Sequence, residues 1–201
     1  MYADIIQAAG SVPVDVKGLG LDFAACSNYK WLHGARGAGF LYVREELQGK
    51  VVKDLSHPGY VHFNYAPWVP ERDTAADEFP YIAQKDAGRY EPGNVSYVAY
   101  AGQYEALKRL LAVGVDNVYA YTKPMCDRLK KELPGLGYKL ITPLDAPSSI
   151  VVVQAKDLKS TEQKLRKANV QVTTTGANRV RVSPALYNNM DDINRLFSAL
   201  A

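Results

Sequence analysis

In the segment Asp22-Phe23-Ala24-Ala25-Cys26-Ser27-Asn28-Tyr29-Lys30-Trp31-Leu32-His33-Gly34-Ala35-Arg36-Gly37-Ala38-Gly39-Phe40-Leu41-Tyr42-Val43, a short apolar run ends in a polar turn that carries one lysine. A glycine-rich turn then leads into a second apolar run. Short runs that are apolar on both faces suit strands buried in an α/β sheet better than helices. Lys30 therefore sits at a strand end, where open sheets form their ligand crevices. A lysine amine next to a cationic or apolar site loses its proton more readily and becomes a nucleophile for carbonyls. The spacing of Gly34, Gly37 and Gly39 is not the GxGxxG of dinucleotide folds. No phosphate-loop motif with its own lysine and serine or threonine occurs either, which sets a nucleotide-binding α/β domain aside.

Working outward, Tyr2 to Ile6, Val12 to Asp15 and Gly39 to Val43 read as further strands. Residues 48 to 88 lack clear periodicity and carry several prolines, His57, His62 and the aromatic run Tyr60 to Trp68, the composition of a functional loop or lid. The repeat Val98, Ala101, Tyr104, Ala106, Leu107, Leu110, Leu111 predicts a helix from Ser96 to Ala112, stopped at Gly114. A second helix is expected from Asp116 to just before Pro134-Gly135, kinked at Pro124. Beyond it, strands are expected over Tyr138 to Thr142, Ser149 to Val153, Val170 to Thr174 and Arg179 to Ser183, with helices over Lys159 to Ala168 and Met190 to Leu200. The fold class is thus α/β, with residues 1–120 in a large domain and 121–201 in a small α+β domain.

Composition narrows the function classes. A chain of 201 residues that is 47% hydrophobic and 22% charged can bury a core, which excludes disorder, collagen and coiled coil. The net charge of +3 is spread without the basic stripe that a nucleic-acid partner would want. Cys26 and Cys126 lie too far apart for a CxxC metal pattern, so reduced cysteines and no metal site are expected. No signal peptide and no apolar run of about 20 residues is present, so the expectation is a cytoplasmic protein away from the membrane. The chain opens on what reads as the end of a buried strand, which leads us to expect a missing N-terminal portion.

Three strings accompany the lysine segment: Asp4-Ile5-Ile6-Gln7 followed by Gly10-Ser11-Val12-Pro13-Val14-Asp15, then Arg89-Tyr90-Glu91-Pro92-Gly93-Asn94 ahead of a helix, then Arg179-Val180-Arg181-Val182-Ser183-Pro184-Ala185-Leu186-Tyr187-Asn188-Asn189. With Asp22-Phe23, Ser27, Tyr29, Lys30 and Gly34, Gly37, Gly39, they resemble the class V aminotransferases, the superfamily of isopenicillin N epimerases, cysteine desulfurases and kynureninases. The resemblance corresponds to the second half of such a protein. It implies part of a fold type I, mainly parallel PLP-dependent large domain whose first strands lie outside the match, followed by the small domain.

The same resemblance implies that Lys30 forms the internal aldimine with pyridoxal 5′-phosphate (PLP) and that Ser27 and Tyr29 donate hydrogen bonds to its phosphate. Asp4 would hold the pyridinium nitrogen protonated, which makes the ring an electron sink; its other reading is a helix N-cap. Gln7 would bond the phenolate oxygen. Gly93 and Asn94, with Asn94 standing where the family usually has Thr, would reach across a homodimer interface to the partner's phosphate. Arg181 would fork onto the α-carboxylate of an amino-acid substrate, while Arg179 reads as a solvated neighbour.

Lys30 does not choose among the reactions this cofactor supports. Desulfurases of this type carry a cysteine on a loop shortly before the Arg-x-Ser strand, and Gln171 to Asn178 is short and lacks one. A desulfurase is therefore disfavoured against the aminotransferase and epimerase branch. The alternative from another class is a catalytically incomplete fragment that serves as a structural or interaction module.

Overall fold

Alternation places Ala24 and Cys26 in the interior of a five-residue strand, Phe23–Ser27, which is the middle strand of a three-stranded sheet. The computed structural model describes residues 1–52, 86–91 and 95–201. In order, the elements are β1 (Tyr2–Asp4), β2 (Phe23–Ser27), β3 (Gly39–Val43), α1 (Tyr97–Val113), α2 (Val115–Glu132), β4 (Lys139–Leu140), β5 (Val151–Gln154), α3 (Leu158–Lys167), β6 (Thr173–Thr175), β7 (Arg179–Val182) and α4 (Met190–Leu200). They fall into two units: Met1–Ile6 with Asp15–Leu107, and Gln7–Val14 with Lys108–Ala201.

In the first unit β1 runs parallel to β2, with Asp4 paired to Ala25, and β3 returns antiparallel with Gly39 opposite Ser27. The carboxyl ends of β1 and β2 therefore share one sheet edge. Arg44 fastens the opposite end, its guanidinium donating to the Leu21 carbonyl and pairing with Asp22 at 3.3 Å. Gly39 permits the close strand approach, since a Cβ there would stand 2.8 Å from the Cys26 carbonyl oxygen.

The second unit has an antiparallel sheet in the order β4-β5-β7-β6. Val151 and Val153 of β5 and Val180 and Val182 of β7 face a core shared with Met125, Leu129 and Leu133 and with Ile193, Leu196 and Leu200. The period of three and four along Val118, Thr122, Met125, Cys126 and Leu129 turns one face of α2 into this core, and the helix runs through Pro124 without interruption. Asn189 starts α4 with a capping box: its side chain accepts from the Asp191 and Asp192 N–H groups while Asp192 accepts from the Asn189 N–H.

One expectation is corrected. Val12 to Asp15 is not a strand; it is irregular chain with one isolated bridge between Ala9 and Val12, and Pro13 cannot donate to a ladder. The helix expected from Ser96 to Ala112 stands as α1, Tyr97–Val113. Its buried side carries Ala99, Gln103 and Leu110, while Val98 is 86% and Leu111 73% exposed.

Candidate active site

Lys30 stands half-buried in the turn that follows β2, three residues beyond the last strand residue, Ser27. The turn closes on itself: the His33 N–H donates to the Lys30 carbonyl at 3.0 Å and the Gly34 N–H to the Asn28 carbonyl at 2.8 Å. The Asn28 N–H in turn donates to the Ala38 carbonyl at 3.0 Å, which ties the turn to the approach of β3. His33 adopts a φ of 55°, in the left-handed region that costs a non-glycine residue energy. The chain bends there more sharply than its side chain favours, and Lys30 is held at the sheet edge.

Asp4 is the last residue of β1, exposed, with its carboxylate accepting from the Ile6 N–H at 3.0 Å. It caps a strand end and not a helix, so the N-cap reading of this residue is set aside. Because β1 and β2 are parallel, Asp4 and the Lys30 turn emerge at the same edge. Electrostatics report the same proximity. Burial pushes the Cys26 thiol above its ordinary pKa, the Asp4 carboxylate raises it further and the Lys30 ammonium opposes both. One sulfur between the two strand ends thus feels both charges.

Ser27 and Tyr29 line an open cleft of ≈ 650 Å³ together with Arg36, Gly37, Ala38 and Gly39. Lys30 Nζ and Arg36 Cζ each lie 6.0 Å from the centroid of the Tyr29 ring, the outer limit of cation–π attraction. A hydroxyl, a phenol and a guanidinium with no carboxylate among them form a donor set for an anion, and a lysine amine adjoins it. The chemistry of this lining fits a phosphorylated aldehyde such as PLP. Arg36 was not singled out by sequence, although it sits inside the glycine-rich turn; its signal was only its place between Gly34 and Gly37. Helix α1 also touches this region, with Tyr100 Oη donating to the Gly39 carbonyl at 2.7 Å and Gln103 Nε2 to the Leu32 carbonyl at 3.4 Å.

Asp4, Ser27, Tyr29 and Lys30 are therefore brought together in the first unit. Gln7 and Arg181 belong to the second. Gln7 is half-buried, with its carbonyl accepting from Ser11 Oγ at 3.0 Å. Arg181 lies on β7 opposite Val152 of β5 and Thr173 of β6. It is half-buried, its Nε is sealed from solvent with no hydrogen-bond partner, and Ser183 Oγ two residues on is in the same state. Arg179 is exposed. The chain reaches β7 from β6 through Gly176-Ala177-Asn178, with φ of 59° at Ala177 and 55° at Asn178. This hairpin is pinned to β5, because Gln154 Nε2 donates to the Ala177 carbonyl and the Ala155 N–H to the Asn178 carbonyl. A second cleft of ≈ 410 Å³ beside α3 and β6 holds none of the sequence-predicted residues. Gly93, Asn94, His57, His62 and the Tyr60 to Trp68 run lie outside the described residues.

Comparison with known proteins bears on this geometry. The family model "Aminotransferase class-V" matches residues 1–196. The chain is 23% identical over 202 residues to the uncharacterized aminotransferase YcbU of Bacillus subtilis (strain 168), covering 100% of this chain and 50% of that protein. Its fold is similar to that of the apo cysteine desulfurase from Thermococcus onnurineus NA1, with a TM-score of 0.78 at 20% identity over 99% of this chain and 51% of that one. It is also similar to a C-DES mutant with Gly covalently linked to the PLP cofactor, with a TM-score of 0.73 at 22% identity over 96% of this chain and 49% of that one. The chain spans about half the length of the relatives that match it from end to end.

Proposed function

Because this chain belongs to the class V aminotransferase family, we propose that it carries the lysine of a PLP site and transforms an amino acid in the aminotransferase or epimerase branch. The observation that supports this most is the shared edge of β1 and β2, where Asp4 and the Lys30 turn emerge beside a cleft lined by Ser27, Tyr29 and Arg36. Carboxyl ends of parallel strands are where open α/β sheets place ligands. When bound there, PLP supplies an electron sink for a bond broken at the substrate Cα.

The chain's own residues have separable tasks in this reading. Lys30 Nζ would hold the cofactor carbonyl, and it would take and return the proton at the substrate Cα. The Asp4 carboxylate keeps the ring nitrogen protonated. The Ser27 and Tyr29 hydroxyls, with the Arg36 guanidinium beside them, hold the phosphate. Gln7 bonds the phenolate oxygen. The Arg181 guanidinium receives the α-carboxylate through a charge-assisted fork. Gly93 and Asn94 contribute to the partner's site in a homodimer.

The branch is argued from a loop. The three residues between β6 and β7 form a tight hairpin without cysteine, tied to β5 at two points. Cys126 is sealed in the core, its thiol pushed up to about 11 by burial, with the Lys130 ammonium opposing and the Asp127 carboxylate adding. A buried thiol with a raised pKa is poorly suited to form a persulfide, which supports the aminotransferase or epimerase branch.

The test incubates the chain with PLP and a panel of amino acids in D2O and follows the Cα proton by NMR. Exchange with loss of the amino group marks an aminotransferase, exchange with inversion marks an epimerase, and both are expected to vanish in Lys30→Ala. Release of sulfide from cysteine, or exchange that survives Lys30→Ala, would overturn the proposal.

A further inference from the structure

Resting on the reading of Lys30 above, we propose that Gln103 is a positioning residue for Lys30, gripping from α1 the turn that carries the lysine. The internal bonds of the turn set its shape, and the Asn28 N–H fastens its first residue to the Ala38 carbonyl, but the bonds that the His33 and Gly34 N–H groups donate on its far side stay within the turn. Gln103 reaches into it from outside: its Nε2 donates to the Leu32 carbonyl at 3.4 Å, and the residue is only 4% exposed. Gly34 makes room for the amide. A Cβ at position 34 would stand 1.6 Å from Gln103 Oε1, 2.7 Å from its Cδ and 3.1 Å from the Asn28 Cβ.

The placement costs stability. Gln103 Oε1 is buried without a partner, and an unbranched apolar side chain would fill the same space without that stranded oxygen, at the cost of the bond to the Leu32 carbonyl. What the amide adds is its hold on the Leu32 carbonyl, two residues from Lys30. The pattern of stranded atoms points the same way. Among the described residues, the buried side-chain polar atoms without partners are Asn28 Oδ1 and Gln103 Oε1, from two residues that both approach Gly34, and Arg181 Nε on β7 with Ser183 Oγ just beyond it. Among the described residues of the first unit the stranded polar groups, which packing alone would remove, are thus confined to the Lys30 turn and the residue that grips it. Gln103 lies on the buried side of α1 between Ala99 and Leu110, and nothing in the local sequence announces it.

Two variants test this: Gln103→Met, which keeps length and removes both polar ends, and Gly34→Ala, which expels the amide from the opposite side. The first readout needs no cofactor: hydrogen exchange at the amides of residues 31–34 is expected to speed up about fivefold in either variant. The second is the rate and pH midpoint at which PLP, fixed by borohydride, attaches to Lys30. The rate is expected to fall about fivefold and the midpoint to move, while the melting temperature of Gln103→Met holds or rises. Wild-type exchange, rate and midpoint in both variants would overturn the inference and leave the Lys30 reading standing. A Gln103→Met chain that does not fold, while Gly34→Ala folds and behaves as wild type, would overturn it by showing a packing role. Absence of any Lys30 adduct in the wild-type chain would remove the Lys30 reading and this inference together.

Discussion

Replacing Arg181 with methionine separates what this residue does for the fold from what it does for a ligand. Its Nε is buried on β7 with no acceptor, and a stranded buried donor costs about 1–3 kcal/mol. Methionine keeps an unbranched stem to pack beside Val152 and Thr173, the ladder neighbours of Arg181, and it leaves no donor stranded. Recovering part of that penalty, Arg181→Met is expected to leave stability unchanged or raise it by about 1 kcal/mol. The guanidinium's hydrogen bonds to a carboxylate are worth about 1.5–3 kcal/mol, so amino-acid affinity is expected to fall about 10- to 150-fold. The assay pairs urea unfolding followed by circular dichroism with spectral titration of the PLP-loaded protein, using an amino acid and its carboxamide. Wild type should prefer the free acid, and the variant should lose that preference. A variant destabilised by more than about 2 kcal/mol that still prefers the acid would refute the reasoning, because Arg181 would then be a structural residue.

Further consequences follow from other parts of the molecule. Both thiols are buried with raised pKa values, so a thiol-reactive dye at pH 8 is expected to find neither Cys26 nor Cys126 in the native protein and both after denaturation; rapid native labelling of either would contradict the burial. Gly39→Ala places a methyl 2.8 Å from the Cys26 carbonyl, and forcing β3 from β2 is expected to cost about 1–3 kcal/mol and to weaken PLP attachment, as read by melting temperature and absorbance. Asn189→Ala removes the α4 cap and should cost about 1 kcal/mol in urea unfolding. The Asp192 carboxyl is held below its ordinary 3.8 by the Asn188 side chain and then by the Asn189 N–H. A depressed carboxylate stabilises the fold above its unfolded pKa and loses that effect as pH falls through the lower folded value. Asp192→Asn should therefore flatten the decline in stability below about pH 4.

How much of this was legible in the sequence depends on the kind of residue. The lysine turn was readable because strand, polar break and glycines follow one another locally, and Lys30, Ser27 and Tyr29 stand where that order put them. The valines of β5 and β7 alternate as strands must, and Asn189 with Asp192 spells a helix start. Val12 to Asp15 was misread because apolar composition says nothing about a partner strand, and the hydrogen-bond ladder is what makes a strand. Gln103 escaped notice for the converse reason: whether a polar side chain is buried depends on what tertiary structure brings to it, here the space over Gly34 and the Leu32 carbonyl. The same holds for Asn28, whose burial follows from the fold of a turn and not from its neighbours in sequence. Arg36 joins Tyr29 and Ser27 around one cleft only through the fold of the glycine-rich turn.

The most direct test of the Lys30 assignment is chemical. The chain is mixed with PLP, reduced with borohydride, digested and mapped by mass spectrometry, in parallel with Lys30→Ala. A single reduced adduct on Lys30, absent from the variant, is the predicted result. An adduct scattered over surface lysines, or one that persists unchanged in Lys30→Ala, would contradict it.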